Sequence, residues 1–160
     1  MPTPAPQTLN IAIFGVGAMG CLFGARLADH ARVTLVGHWP QQRQALAAPG
    51  LEIVHPDGRP SRHALAASDA PAGLAPVAVA LALTKSPKTE RVAQQAVGLL
   101  KPEGLAVTLQ NGLGNLEILQ RHLGAGRVTQ GVTAQGAYLT GPGHLVHAGE
   151  GPTHLGALDH

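Results

Sequence analysis

Residues 10–23, Asn10-Ile11-Ala12-Ile13-Phe14-Gly15-Val16-Gly17-Ala18-Met19-Gly20-Cys21-Leu22-Phe23, decide the fold of this chain. The apolar run from Leu9 to Phe14 ends in glycine and predicts a buried strand. Ala18 to Asp29 puts apolar residues at positions 19, 22, 23 and 27, the spacing of one helix face. The six residues between strand and helix read GxGxxG. That pattern alone is weak, because the chain has 21 glycines. Its place between a strand and a helix gives each glycine a physical task. Gly15 permits the tight turn, Gly17 leaves the backbone bare to an approaching phosphate, and Gly20 lets the helix pack closely on the strand. The helix N-terminus adds free N–H groups and the positive end of its dipole. Gly15, Val16, Gly17, Ala18, Met19 and Gly20 therefore predict a phosphate-binding turn.

Working outward, Arg32–Val36 predicts a second strand and Gln41–Ala48 a short helix after Pro40. Leu51–His55 predicts a strand, followed by the turn Pro56-Asp57-Gly58, with Arg62–Ala67 pairing back on it. The continuous apolar run Pro76–Leu83 predicts a central parallel strand. Pro87–Leu100 reads as a helix, Leu105–Leu109 as a strand and Asn115–Leu123 as another helix. From Arg127 the sequence is β-like and Gly-rich, with a turn at Gly141-Pro142-Gly143. Alternation of strand and helix predicts an α/β fold, a Rossmann-type doubly wound and mostly parallel sheet. The expected division is a flexible N-terminal tail, residues 1–8, and a dinucleotide-binding domain, residues 9–160.

Composition narrows the function. The net charge is only +2, and no Lys/Arg cluster occurs, which argues against a nucleic-acid partner. Charged residues make up 12% of the chain, in keeping with a core of buried strands. The tail has three prolines and no basic segment ahead of an apolar run, so it does not read as a signal peptide. No uncharged apolar stretch reaches the roughly 18 residues of a membrane span. The expected compartment is the cytoplasm. Cys21 is the only cysteine, which excludes an intrachain disulfide, and it reads as a small apolar helix residue. His144, His147 and His154 are too loosely spaced to predict a metal site.

The end of the second strand bears on which dinucleotide is bound. An NAD site usually carries Asp or Glu about 20 residues past the loop, where it accepts bonds from ribose hydroxyls. Here Val36-Gly37-His38-Trp39 has no acid, and Asp29 lies before the strand. His38 and Arg43 are the nearby groups able to carry positive charge. A missing acid with available bases favours the 2′-phosphate of NADP (NADPH).

Two further segments follow predicted strand ends, where open α/β sheets bind ligands. They are Thr84-Lys85-Ser86-Pro87-Lys88-Thr89 and Gln110-Asn111-Gly112-Leu113-Gly114-Asn115. Lys85 could meet a phosphate, ribose or carbonyl, and Asn111 could donate and accept at once. Taken with Gly15–Gly20 and Thr153-His154-Leu155-Gly156, these segments resemble the N-terminal domain of the ketopantoate reductase (2-dehydropantoate 2-reductase) family. The resemblance runs from about Asn10 to Gly156. It implies NADPH-dependent reduction of 2-dehydropantoate to pantoate, in pantothenate and coenzyme A biosynthesis. It also implies that the loop glycines, Lys85 and Asn111 contact cofactor or substrate, with Lys85 and Asn111 in the catalytic site. The family commonly carries a basic residue after the second strand, where this chain has His38, with Arg43 as a substitute.

Family members are about twice this length. Their helical C-terminal domain, absent from these 160 residues, supplies the catalytic lysine and a substrate-binding glutamate. Lys101 and Glu103, in the segment Lys-Pro-Glu-Gly, do not stand in for them. The implied chemistry is hydride transfer to a ketone, with that lysine as general acid. The chain alone is therefore expected to bind cofactor with little or no turnover. Alternatives are another two-domain hydroxyacid dehydrogenase, or a non-catalytic dinucleotide-binding module. The expected partner is a small 2-oxo acid, with neither nucleic acid nor membrane. Homo-oligomerisation stays open, with exposed apolar surface near the C-terminal end as a cause of association.

Overall fold

A computed structural model describes residues 8–157. The expected tail, except Thr8, lies outside the described residues. Eleven strands and four helices follow one another as β1 Asn10–Phe14, α1 Ala18–Leu27, β2 Arg32–Val36, α2 Pro40–Ala47, β3 Leu51–Val54, β4 Pro60–His63, β5 Ala66–Ser68, β6 Val77–Ala82, α3 Thr89–Val97, β7 Leu100–Thr108, α4 Asn115–Leu123, β8 Val128–Thr133, β9 Gly136–Gly141, β10 His144–Gly149 and β11 Thr153–Leu155.

The main sheet has the order β11-β8-β7-β6-β1-β2-β5. All its neighbours run parallel except β11, which lies antiparallel to β8. The chain moves outward from β1 through β2 to β5, then returns to lay β6 on the other side of β1. The β1/β6 boundary is thus the topological switch point, where strand ends diverge and leave a crevice. Alternation along β1 explains why both faces are covered. Ile11 and Ile13 pack with α1, β2 and β3 residues such as Leu22, Leu35 and Ile53. Ala12 and Phe14 pack on the opposite side with α3 and α4 residues such as Val92, Ala96 and Leu119.

The sequence expectations hold for β1, β2, α4 and the central strand β6, and three segments differ. Arg62–Ala67 does not pair back as one strand. Pro60–His63 pairs antiparallel with β3, whereas Ala66–Ser68 joins the main sheet parallel to β2. Leu65, 4% exposed in the core, anchors the crossing between sheets. The expected helix Pro87–Leu100 is shorter: Ser86–Lys88 forms a 3-10 turn, α3 ends at Val97, and Leu100 already pairs with Val77. Strand β7 accordingly starts before Leu105. Lys101–Gly104 bulges out of its ladder, since Leu105 is opposite Val79.

The β-like C-terminal sequence divides: β8 and β11 extend the main sheet, whereas β9 and β10 join β3 and β4 in a second sheet, β4-β3-β10-β9. Its β9 and β10 pack against α1. Gln42 on α2, fully buried, fixes this sheet by accepting a bond from the Gly143 N–H at 2.8 Å. Among the described residues no helix is long and apolar enough to cross a membrane. Val132 and Leu155, on adjacent strands β8 and β11, are large apolar residues left exposed.

Candidate functional site

The glycine loop joins β1 to α1 as the sequence predicts, which places it at the switch point. Gly15 has φ of +136°, and a Cβ there would lie 2.9 Å from the Leu83 carbonyl oxygen, so the turn admits only glycine. A Cβ on Gly20 would overlap the Gly15 carbonyl oxygen. Helix and strand therefore meet backbone to backbone. Gly17 is different: a Cβ there meets nothing within 4 Å. Its bareness serves the space in front of it rather than the packing behind it.

Helix α1 has no side-chain cap on its first turn and no acidic residue there. Its first internal bond runs from the Cys21 N–H to the Gly17 carbonyl at 2.9 Å, which leaves the earlier N–H groups without a helical acceptor. An uncapped N-terminus beside an empty approach is what a pyrophosphate requires. Cys21 does more than fill space. Its thiol donates to the Val16 carbonyl at 3.5 Å and accepts from the Gln42 amide at 3.2 Å. Burial pushes this thiol up to about 11, and the Gln42 bond offsets only part of that.

A cleft of about 360 Å³ opens in front of the loop. Gly15, Val16 and Gly17 line it together with Gly37, His38 and Trp39 after β2 and Thr84 and Lys85 after β6. Lys88, just before α3, and Arg91, on its first turn, line it as well, as does Asp69 after β5. A second cleft of about 400 Å³ is bounded by Met19, Lys85, Gln110 and Asn111. Leu83, Thr84 and Lys85 border both, so the two form one groove across the switch point.

A polar network fixes the far half of this groove. Gln110 donates from Nε2 to the Thr84 carbonyl at 2.8 Å and to Thr89 Oγ1 at 3.0 Å. Thr89, fully buried, donates to Asn115 Oδ1 at 2.8 Å. Asn115 Nδ2 donates to Ser86 Oγ at 3.1 Å, and Ser86 donates to the Asn111 carbonyl at 2.8 Å. The loop carrying Lys85 is thereby tied to the loop carrying Asn111. Gly112, with φ of +97°, lets the second loop turn back toward α4. The bonds consume the Asn111 carbonyl and leave its exposed side chain to the groove.

The sequence-predicted residues thus converge, with one displacement. The loop, His38, Lys85 and Asn111 border the groove, whereas Arg43 is not part of its lining. Its guanidinium lies 4.0 Å from Asp69, and its buried Nε has no partner among the described residues. Sequence reading missed Lys88, Arg91 and Asp69. The first two were hidden as ordinary helix polarity. Asp69 follows a three-residue strand with no apolar signature.

Residues 11–160 match the family described as ketopantoate reductase PanE/ApbA. The chain belongs to the ketopantoate reductase family. It is 36% identical over 151 residues to a 2-dehydropantoate 2-reductase of Halobacterium salinarum, covering 92% of this chain and 49% of that protein. A counterpart from Archaeoglobus fulgidus is 32% identical over 150 residues, covering 94% and 48%. The chain thus spans about half the length of the curated relatives it matches. Among solved structures, a PanE/ApbA family ketopantoate reductase from Ralstonia eutropha superposes with TM-score 0.83 at 30% identity, covering 92% of this chain and 49% of that one. The ternary structure of D-mandelate dehydrogenase with NADH and anilino(oxo)acetate superposes with TM-score 0.85 at 27% identity, covering 94% and 49%.

Proposed function

We propose that the chain is the NADPH-binding domain of a 2-dehydropantoate 2-reductase, an oxidoreductase that reduces 2-dehydropantoate to (R)-pantoate in pantothenate biosynthesis in the cytoplasm. The observation that carries this reading is the single groove in which a bare, uncapped helix N-terminus meets Lys85 and Asn111. The residues fit a dinucleotide: the Gly17 approach is open, and the α1 N–H groups await an acceptor. The bound cofactor supplies a hydride to the substrate ketone.

The chain's own residues bind and orient. Gly15, whose N–H is spent on the Val36 carbonyl, shapes the turn, and Val16, Gly17 and the first turn of α1 (Ala18, Met19, Gly20) would hold the pyrophosphate by backbone N–H groups. Lys85 provides positive charge at the junction of the two clefts. It can meet a ribose hydroxyl, the substrate carboxylate or the polarised carbonyl oxygen. Asn111 offers both a donor and an acceptor to the ribose or the substrate. The Gln110–Thr89–Asn115 network holds both groups in register, which counts because small misplacement is costly in rate. A general acid and further substrate contacts belong to the second half of the relatives' length. These 160 residues alone are accordingly expected to bind cofactor with little turnover.

The test is titration of the purified chain with NADPH, followed by nicotinamide fluorescence, and assay of ketopantoate-dependent NADPH oxidation. Saturable binding is expected. Failure to bind either NADPH or NADH would overturn the reading, and robust turnover by the chain alone would overturn the division of labour. The likeness to D-mandelate dehydrogenase supports a second reading, a reductase of another 2-oxo acid using NADH. Asp69 in the cleft lining is consistent with it. A panel of 2-oxo acids on the full-length protein separates the two.

A further inference from the structure

We infer that Lys88 and Arg91, rather than a residue following β2, are the groups that read the cofactor's 2′-phosphate and set its preference for NADPH over NADH. The inference rests on the dinucleotide reading above and goes beyond it by naming the discriminating side chains. Three observations carry it. Lys88 caps α3 and Arg91 lies three residues on, so both fall on one helix face, and both line the same cleft as His38 and Trp39. Neither has an acidic partner within 4.0 Å among the described residues, so their charge is available. Glu90, the acid between them in sequence, is taken by Arg121 and His122 instead.

The competing group is accounted for as well. Arg43, the basic residue nearest His38 on α2, is held against Asp69. That pairing does two things. It withholds Arg43 from a phosphate, and it offsets the one acid lining the cleft, which would otherwise repel a dianion and favour unmodified ribose hydroxyls. What remains in this cleft is a surplus of cation at the start of α3. Arg91 can grip a phosphate with two parallel N–H donors, while Lys88 acts as a point charge.

The experiment measures dissociation constants for NADPH and NADH with the wild-type chain, with Lys88→Gln combined with Arg91→Gln, and with Arg43→Gln. Both α3 side chains are exposed, so the double variant should fold, which circular dichroism verifies. The expected result is wild-type preference for NADPH, and in the double variant NADPH binding weakened by about 10- to 100-fold, the loss of charge-assisted bonds. NADH binding should stay within about 2-fold, and the salt dependence of NADPH binding should flatten. Equal loss of both cofactors, no change in either, or a wild-type preference for NADH would each overturn the inference while the dinucleotide reading stands. So would loss of NADPH preference in Arg43→Gln alone. A wild-type chain that binds neither cofactor overturns both.

Discussion

Replacing Gly17 by leucine separates binding from folding, because the loop glycines are constrained for different reasons. Gly17 has φ of −80° and ψ of −171°, a conformation open to any L-residue. A Cβ there finds no atom within 4 Å, so no clash opposes the change. Two small effects remain. Removing a glycine stiffens the unfolded chain, a gain of about 0.4–1 kcal/mol. Losing glycine at the helix N-cap costs a few tenths to about 1 kcal/mol. The net change in stability is thus within about 1 kcal/mol, or roughly 2–4 °C in melting temperature for a domain of this size.

Binding responds otherwise. The new side chain occupies the space through which a pyrophosphate reaches the first turn of α1. Loss of two backbone hydrogen bonds to a charged phosphate, each worth about 1.5–3 kcal/mol, weakens binding by roughly 10²- to 10⁴-fold. Calorimetric titration with NADPH, beside a thermal melt of the same sample, reads both quantities. NADPH affinity surviving in Gly17→Leu would refute the assignment of the loop. A melting point lowered by 10 °C or more (about 3 kcal/mol) would refute the claim that Gly17 is bare for the ligand's sake.

Gly20→Ala should behave in the opposite way, since its Cβ overlaps the Gly15 carbonyl: the protein should melt markedly earlier or fail to fold, as read by circular dichroism. Thr89→Val removes a fully buried hydroxyl and leaves Asn115 Oδ1 without that donor, so denaturant titration should show a loss of about 1–3 kcal/mol. In full-length protein the same change should lower kcat more than it raises KM, because it loosens the Lys85 and Asn111 loops without removing either side chain. The Cys21 thiol, raised from 9.0 to about 11 by burial, should resist a thiol reagent at pH 8 until the chain is unfolded. Its linkage has a definite sign: the unfolded thiol ionises first, so its contribution to stability is full below pH 9 and declines between about pH 9 and 11, which melts across that range would register.

How much of this was legible in the sequence follows from where the constraints act. The loop was readable because strand, turn and helix lie within a few residues, and Gly15 and Gly20 answer to local steric demands. Lys85 and Asn111 were readable because they directly follow strands with strong apolar runs, and strand ends mark the binding edge of an open sheet. The second sheet was not readable. It joins β3 and β4 to β9 and β10, and its key bond links Gln42 to Gly143 across 101 residues. No local periodicity encodes such a pairing. The α3 cations escaped for a related reason. Helical spacing shows that Lys88 and Arg91 share a face, but only the return of the chain from β5 to β6 brings them into one cleft with the residues after β2. The reading of cofactor charge drew only on residues near the end of β2, whereas the cleft lining also holds Asp69, Lys88 and Arg91. The cleft lining joins residues after β2 and β5 to Lys88 and Arg91 at the start of α3, and Arg43 on α2 lies 4.0 Å from Asp69.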